Sequence, residues 1–171
     1  EQERISTPAT SRIASRNGAA AGSLVSGASA EKLDELKAFL ISKFNYDPGA
    51  YENYTYDTYS DKITARLDYN INTKNTFNIN YYYLKSYRNV APSSSGAPTN
   101  GRTASITGMP FIASSYIINN DFNIIIAELN TKLSNKLSNK LQVGYNSLRD
   151  YRSSPGGIFP MVDIENGAGA A

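Results

Sequence analysis

The chain has 171 residues, about 40% of them apolar, enough for one ordinary core in a single domain. Its formal net charge of +2 is small and spread along the sequence, which argues against nucleic acid as a partner. Cysteine and histidine are both absent, excluding a disulfide framework, a thiol nucleophile, thiolate metal sites, and the commonest general base and zinc ligand.

No run approaches the ~18 apolar residues of a membrane helix, and no signal peptide is recognisable. The chain opens on Glu1 and stops at "ENGAGAA", as expected of an internal piece of a longer protein. Residues 1–30 are rich in Ala, Ser and Gly without a sustained period, which predicts a long loop entered from a strand end near Arg4-Ile5. Over 31–44, Leu33, Leu36, Leu40 and Phe44 share a helical stripe. Ser29 is the N-cap, Glu31 and Asp34 favour the first turn, and Asp47-Pro48-Gly49 ends the helix. We expect a loop helix packed on its neighbours.

Period-two alternation then takes over. Ile63, Ala65, Leu67, Tyr69 and Ile71 alternate with Thr64, Arg66, Asp68, Asn70 and Asn72, inside one long strand from about 53 to 72. Its hairpin partner runs from about 76 to 88, with Phe77, Ile79, Tyr81 and Tyr83 set against Asn78, Asn80 and Tyr82. Matching apolar residues pairs Ile71 with Phe77 and Tyr69 with Ile79 across a three-residue loop, Thr73-Lys74-Asn75. Asn75 is then expected at positive φ.

Residues 89–115 read as a long Ser/Gly/Pro loop without the Gly-Lys-Ser/Thr ending of a phosphate-binding loop. A third strand carries Ile125, Ala127, Leu129, Thr131 and Leu133 on one face and Glu128, Asn130 and Lys132 on the other. After a turn at 134–140, a fourth alternates Leu141, Val143 and Tyr145 with Gln142, Gly144 and Asn146. Another loop opens beyond 151. Tight turns at one end and long loops at the other are the layout of an up-and-down outer-membrane barrel.

The faces therefore sort into two sets. Arg66, Asp68, Asn70, Asn78, Asn80, Glu128, Asn130 and Gln142 are too many polar groups for a dry core and are assigned to a hydrated lumen. Leu67, Tyr69, Ile71, Phe77, Ile79, Tyr81, Ile125, Leu129, Val143 and Tyr145 are assigned to lipid. Tyr59, Tyr69, Tyr81 and Tyr83 are expected near the interfaces or on the outer wall. Nine residues, Ile63 to Ile71, cover roughly 20–25 Å at ~45° tilt, the height of a barrel's apolar band. A soluble antiparallel sheet, packed on one side, gives the same alternation.

Specific phrases go further than periodicity. "KFNYDPGAYENY", "DYNINTKNTFNINYYYLKSYR", "IIAELNTKLSNKLSNKLQVGYNSLRD" and "SSPGGIFPMVDI" resemble, in order, TonB-dependent outer-membrane receptors of Bacteroidetes. The branch is the one carrying a carboxypeptidase-regulatory-like domain, the Oar-like proteins. The resemblance covers most of the chain and is weakest over 13–30.

It implies a mainly β chain, about four strands of a transmembrane barrel with long extracellular loops, in the cell outer membrane. The partners it implies are outer-membrane lipid, a plug domain, the remaining barrel strands, and the TonB energy-coupling system through parts with no counterpart here. Uptake of an unidentified ligand follows, with no catalytic residue, cofactor or metal. The alternative is a secreted or surface β-sheet module that binds glycan on its tyrosines. Asp163, Glu165 and Asn166 before Gly167 only faintly echo a calcium loop. Asn53-Tyr54-Thr55 fits a glycosylation sequon, a tripeptide common by chance. Arg66, Asp68 and Glu128 lack the nucleophile that hydrolysis needs, so lumen-lining charge is the simpler reading.

Overall fold

A computed structural model describes residues 1–97 and 101–165. Among the described residues the chain is mainly β, with one α-helix and an open antiparallel sheet of five strands rather than a closed barrel. In spatial order the sheet is β1 (Gln2–Pro8), β4 (Thr55–Asn72), β5 (Asn75–Val90), β6 (Tyr116–Lys132) and β7 (Ser138–Ser153). Between β1 and β4 lie β2 (Ile13–Ser15) and β3 (Val25–Ser29), a parallel pair, and the helix α1 (Ala30–Phe44). A single 3-10 turn, Ile112–Ser114, precedes β6.

Two features differ from the sequence expectation. The sheet has five strands, not about four: β1 occupies residues expected to be mostly loop. Its "QERISTP" carries no alternation, and its place comes from β4. The Glu1 amino group donates to the Lys62 carbonyl at 2.9 Å, and the Lys62 N–H returns a bond to the Glu1 carbonyl.

The β4–β5 turn is also shorter. Only Thr73 and Lys74 separate the strands, and Asn75 is not among the positive-φ residues. Asn72 closes the turn instead, its Oδ1 accepting from the N–H groups of Lys74 and Asn75 at 2.9 and 3.0 Å. A side-chain acceptor thus does locally what a left-handed residue was expected to do.

At the end of the hairpin away from the turn, Tyr59 stacks on Tyr87 (5.2 Å, 6°) and Asp57 N–H donates to the Asn89 side chain.

Contacts divide the chain into two units. The first comprises Glu1–Ile5, Thr58–Tyr87 and Asn119–Tyr151 and is a single layer of sheet. Its buried residues, among those described, are Ser60 and Asn78, both polar. The second comprises Ser6–Asp57, Arg88–Ile118 and the segment from Arg152 on.

The second unit has a small core of Ala14, Ala30 and Tyr51, flanked by Leu33, Met109 and Phe111. The helix α1 starts at Ser29, whose Oγ accepts from Lys32 N–H, and ends at Asn45 in the left-handed conformation (φ 52°). Asn tolerates that conformation better than most residues, so the stop precedes the Asp-Pro-Gly signal. Of the predicted stripe, Leu33 reaches the core, whereas Phe44 is exposed.

Candidate functional site

The first unit has two unlike faces. Alternation puts Leu67, Tyr69, Ile71, Ile125, Val143 and Tyr145 on one of them, and all six are exposed, Leu67 by 63% and Val143 by 65%. Phe77, Ile79, Tyr81 and Leu129 share that face and are half-buried by their neighbours. Ile63 and Leu141 extend the same exposed band. Large apolar side chains on neighbouring strands make a contiguous patch, the arrangement that marks a protein or membrane contact.

The opposite face carries a bonded polar row. Arg66 and Asp68 form a bidentate pair on β4, with Nε to Oδ2 at 2.8 Å and Nη2 to Oδ1 at 2.7 Å. On β5, Asn80 donates to the Asn78 Oδ1, and Asn78 Nδ2 donates across to Glu128 of β6 at 3.4 Å. Asn130 donates to the same Glu128 oxygen at 2.7 Å, and Lys140 of β7 ion-pairs with its other oxygen.

Six of the eight polar candidates thus fall into the Arg66–Asp68 pair or the group around Glu128. Asn70 and Gln142 are exposed residues outside those bonds. Lys140 was not singled out in the sequence, although its alternation with Gln142 and Gly144 places it on this face. The Arg66, Asp68 and Glu128 charges are satisfied by hydrogen bonds and ion pairs with neighbouring side chains.

The polar character holds only near the turns. Further along the same face, Tyr82, Leu84, Phe122, Ile124 and Ile126 replace it and line an open groove of about 540 Å³ with Thr64 and Lys62 at its rim. On the other face the change runs the opposite way. Asn123 and Asp121 follow Ile125 on β6, and Tyr81 Oη donates to Asn123 Oδ1 at 2.9 Å. The apolar band therefore ends partway along the strands.

The second unit gathers three loop segments. Ile112 N–H and Ala113 N–H donate to the carbonyls of Ala50 and Pro48, and Gly27 N–H donates to Ile106. Tyr51 packs edge-on against Phe111 and donates to Asp34, and burial, then this bond, pushes its hydroxyl pKa up. Glu52 accepts from the Arg16 guanidinium and from Ala14 N–H. The bond from Arg16 holds its carboxyl below the usual value against some desolvation.

Arg102 uses all five donors. Nε and Nη2 grip Asp163 (2.9 and 2.7 Å), and the rest meet the carbonyls of Ser93, Ser95 and Gly96. Asp163 is consequently held below its usual carboxylate value. It is committed to Arg102, while Asn166 and Gly167 of the calcium-like phrase lie outside the described residues. No group of three or more acidic residues suited to a metal occurs among the described residues. No helix there is long and apolar enough to cross a membrane, which says nothing of crossing by strands.

Comparison with models of protein families, with curated proteins and with solved structures finds no match.

Proposed function

We propose that this chain is a run of consecutive strands from the wall of an outer-membrane β-barrel, of the TonB-dependent receptor type its phrases resemble. It would take part in uptake of an unidentified ligand and perform no chemistry of its own. One observation carries the reading. The first unit has an exposed apolar band on one face, a bonded polar row behind it, and no buried apolar residue among those described. A sheet in water normally buries one face against a second layer. A barrel wall needs no such layer, because lipid is dry on one side and the lumen wet on the other.

The polar row supports the same reading. Arg66, Asp68 and Lys140 are open to solvent, and the more enclosed Asn78 and Glu128 are satisfied by hydrogen bonds within the row, as the wall of a water-filled lumen allows. A glycan-binding module is a weaker account of these faces. Tyr69 and Tyr145 are exposed, but Leu67 and Ile71 flank the first and Val143 the second. These offer a sugar no hydrogen bond and leave Ser147 as the one polar strand neighbour on that face.

The test is the behaviour of the full-length protein. An intact barrel requires detergent for solubility and migrates differently on gels before and after heating. A protein soluble without detergent, with unchanged migration and binding to polysaccharide, would replace this reading with the glycan module.

A further inference from the structure

The segment after β7 is held to the second unit by side chains alone. A turn opens it, with Gly157 N–H donating to the Ser154 carbonyl at 3.3 Å and Gly157 at φ 72°. From 158 to 165 no backbone group bonds to another residue among those described. Ile158, Met161, Val162 and Ile164 are all exposed. Two side chains anchor the stretch. Phe159 stacks on Tyr46 (3.9 Å between centroids, 11°) and meets Phe44 edge-on at 6.1 Å. Asp163 receives the Arg102 guanidinium.

Both anchor points are built without the segment. Asn45 N–H donates to the Ile41 carbonyl and Tyr46 N–H to the Leu40 carbonyl, so the closing turn of α1 sets Phe44 and Tyr46 in place. Arg102 has three carbonyl partners of its own, on Ser93, Ser95 and Gly96.

We propose that residues 158–164 are a strap, hinged at 154–157 and latched by Asp163 on Arg102. Closed, its Phe159 fills a slot between Phe44 and Tyr46; open, the slot accepts a planar apolar ring from another molecule. The slot's own occupant displays the chemistry it takes: a flat ring without polar atoms, offered one aromatic face and one edge. A stretch with so few buried contacts and no backbone bonds lies at the low end of local stability. Gly156 and Gly157 at its base absorb the dihedral change as it swings. The inference stands independently of the barrel reading, since no strand of the sheet takes part.

The test is fluorine NMR of the full-length protein with para-fluorophenylalanine in place of Phe159. The Tyr46 ring current displaces its line from that of the free amino acid. Asp163→Ala leaves the carbonyl bonds of Arg102 intact and should raise an undisplaced line, from the open strap, about tenfold. Phenylalaninamide should raise the same line saturably by entering the slot. Tyr46→Leu should abolish both the displacement and the response to phenylalaninamide. A single displaced line that ignores Asp163→Ala and phenylalaninamide alike makes Phe159 fixed packing and overturns the strap. A response to Asp163→Ala without one to phenylalaninamide overturns the slot, and the reverse overturns the latch. Leucinamide acting as strongly as phenylalaninamide overturns the preference for a ring.

Discussion

Glu52 shows how one side chain ties down a loop. Its carboxylate holds Arg16 and the Ala14 N–H beside the small core of the second unit. Because its folded pKa is depressed, its contribution is complete above the unfolded value of ~4.3 and is lost as pH falls through the folded value. Hydrogen exchange at Ala14, corrected for intrinsic rate, should therefore lose protection below about pH 4. Glu52→Gln should lose ~1 kcal/mol of protection at neutral pH and abolish that pH dependence. Protection of Ala14 that ignores both changes would mean the ion pair is incidental. Gly156 is a second such point: a Cβ there would meet the Cβ of Ala113 at 2.6 Å. Gly156→Ala should push the segment after β7 away from the 3-10 turn, read as faster exchange at 154–157.

At the scale of elements, the long strands and the helix were legible and the short pieces were not. Period two over Ile63–Ile71 and over Ile125–Leu133, and the Leu33–Leu36–Leu40 stripe, are local signals that survive into β4, β6 and α1. β1, β2 and β3 lack them. Polar "QERISTP" and the Ala/Ser-rich segments pair because a partner strand is present, which no window of local sequence contains. The turn was misjudged for a related reason: Asn75 was weighed for its own φ, while Asn72, three residues earlier, supplies the closing acceptor. Asn72→Ala should cost ~1 kcal/mol in hairpin stability, measured by denaturant unfolding or by exchange at Lys74 and Asn75.

The polar candidates were readable as a face, but not as the particular bonds around Glu128, which depend on cross-strand register. Their two faces make a paired prediction. Leu67→Arg or Val143→Arg should impair membrane insertion by ~2–4 kcal/mol, whereas Asp68→Ala should leave assembly intact. Heat-modifiable migration of each variant checks it. Normal assembly of the Arg variants with collapse of Asp68→Ala would exchange the dry and wet faces.

For the whole molecule, the antiparallel order fixes sidedness. The turns Thr73-Lys74 and 133–137 lie at one end of the strands, and the β5–β6 connection leaves from the other. If the long loops are extracellular, a thiol reagent that cannot cross membranes should label Ser94→Cys on intact cells and spare Lys74→Cys. Labelling of Lys74→Cys alone would invert the topology.

The open order of the sheet has a further consequence for handling this polypeptide. β1 and β7 each pair on one side only, and all sixteen residues of β7 are exposed. An unpaired strand of that length is a template. Produced alone in water, the 171-residue chain is expected to associate edge to edge through these two strands, read as a sedimentation coefficient that rises with chain concentration. A proline replacing a β7 residue whose N–H points outward costs little within the sheet and blocks one of the two edges.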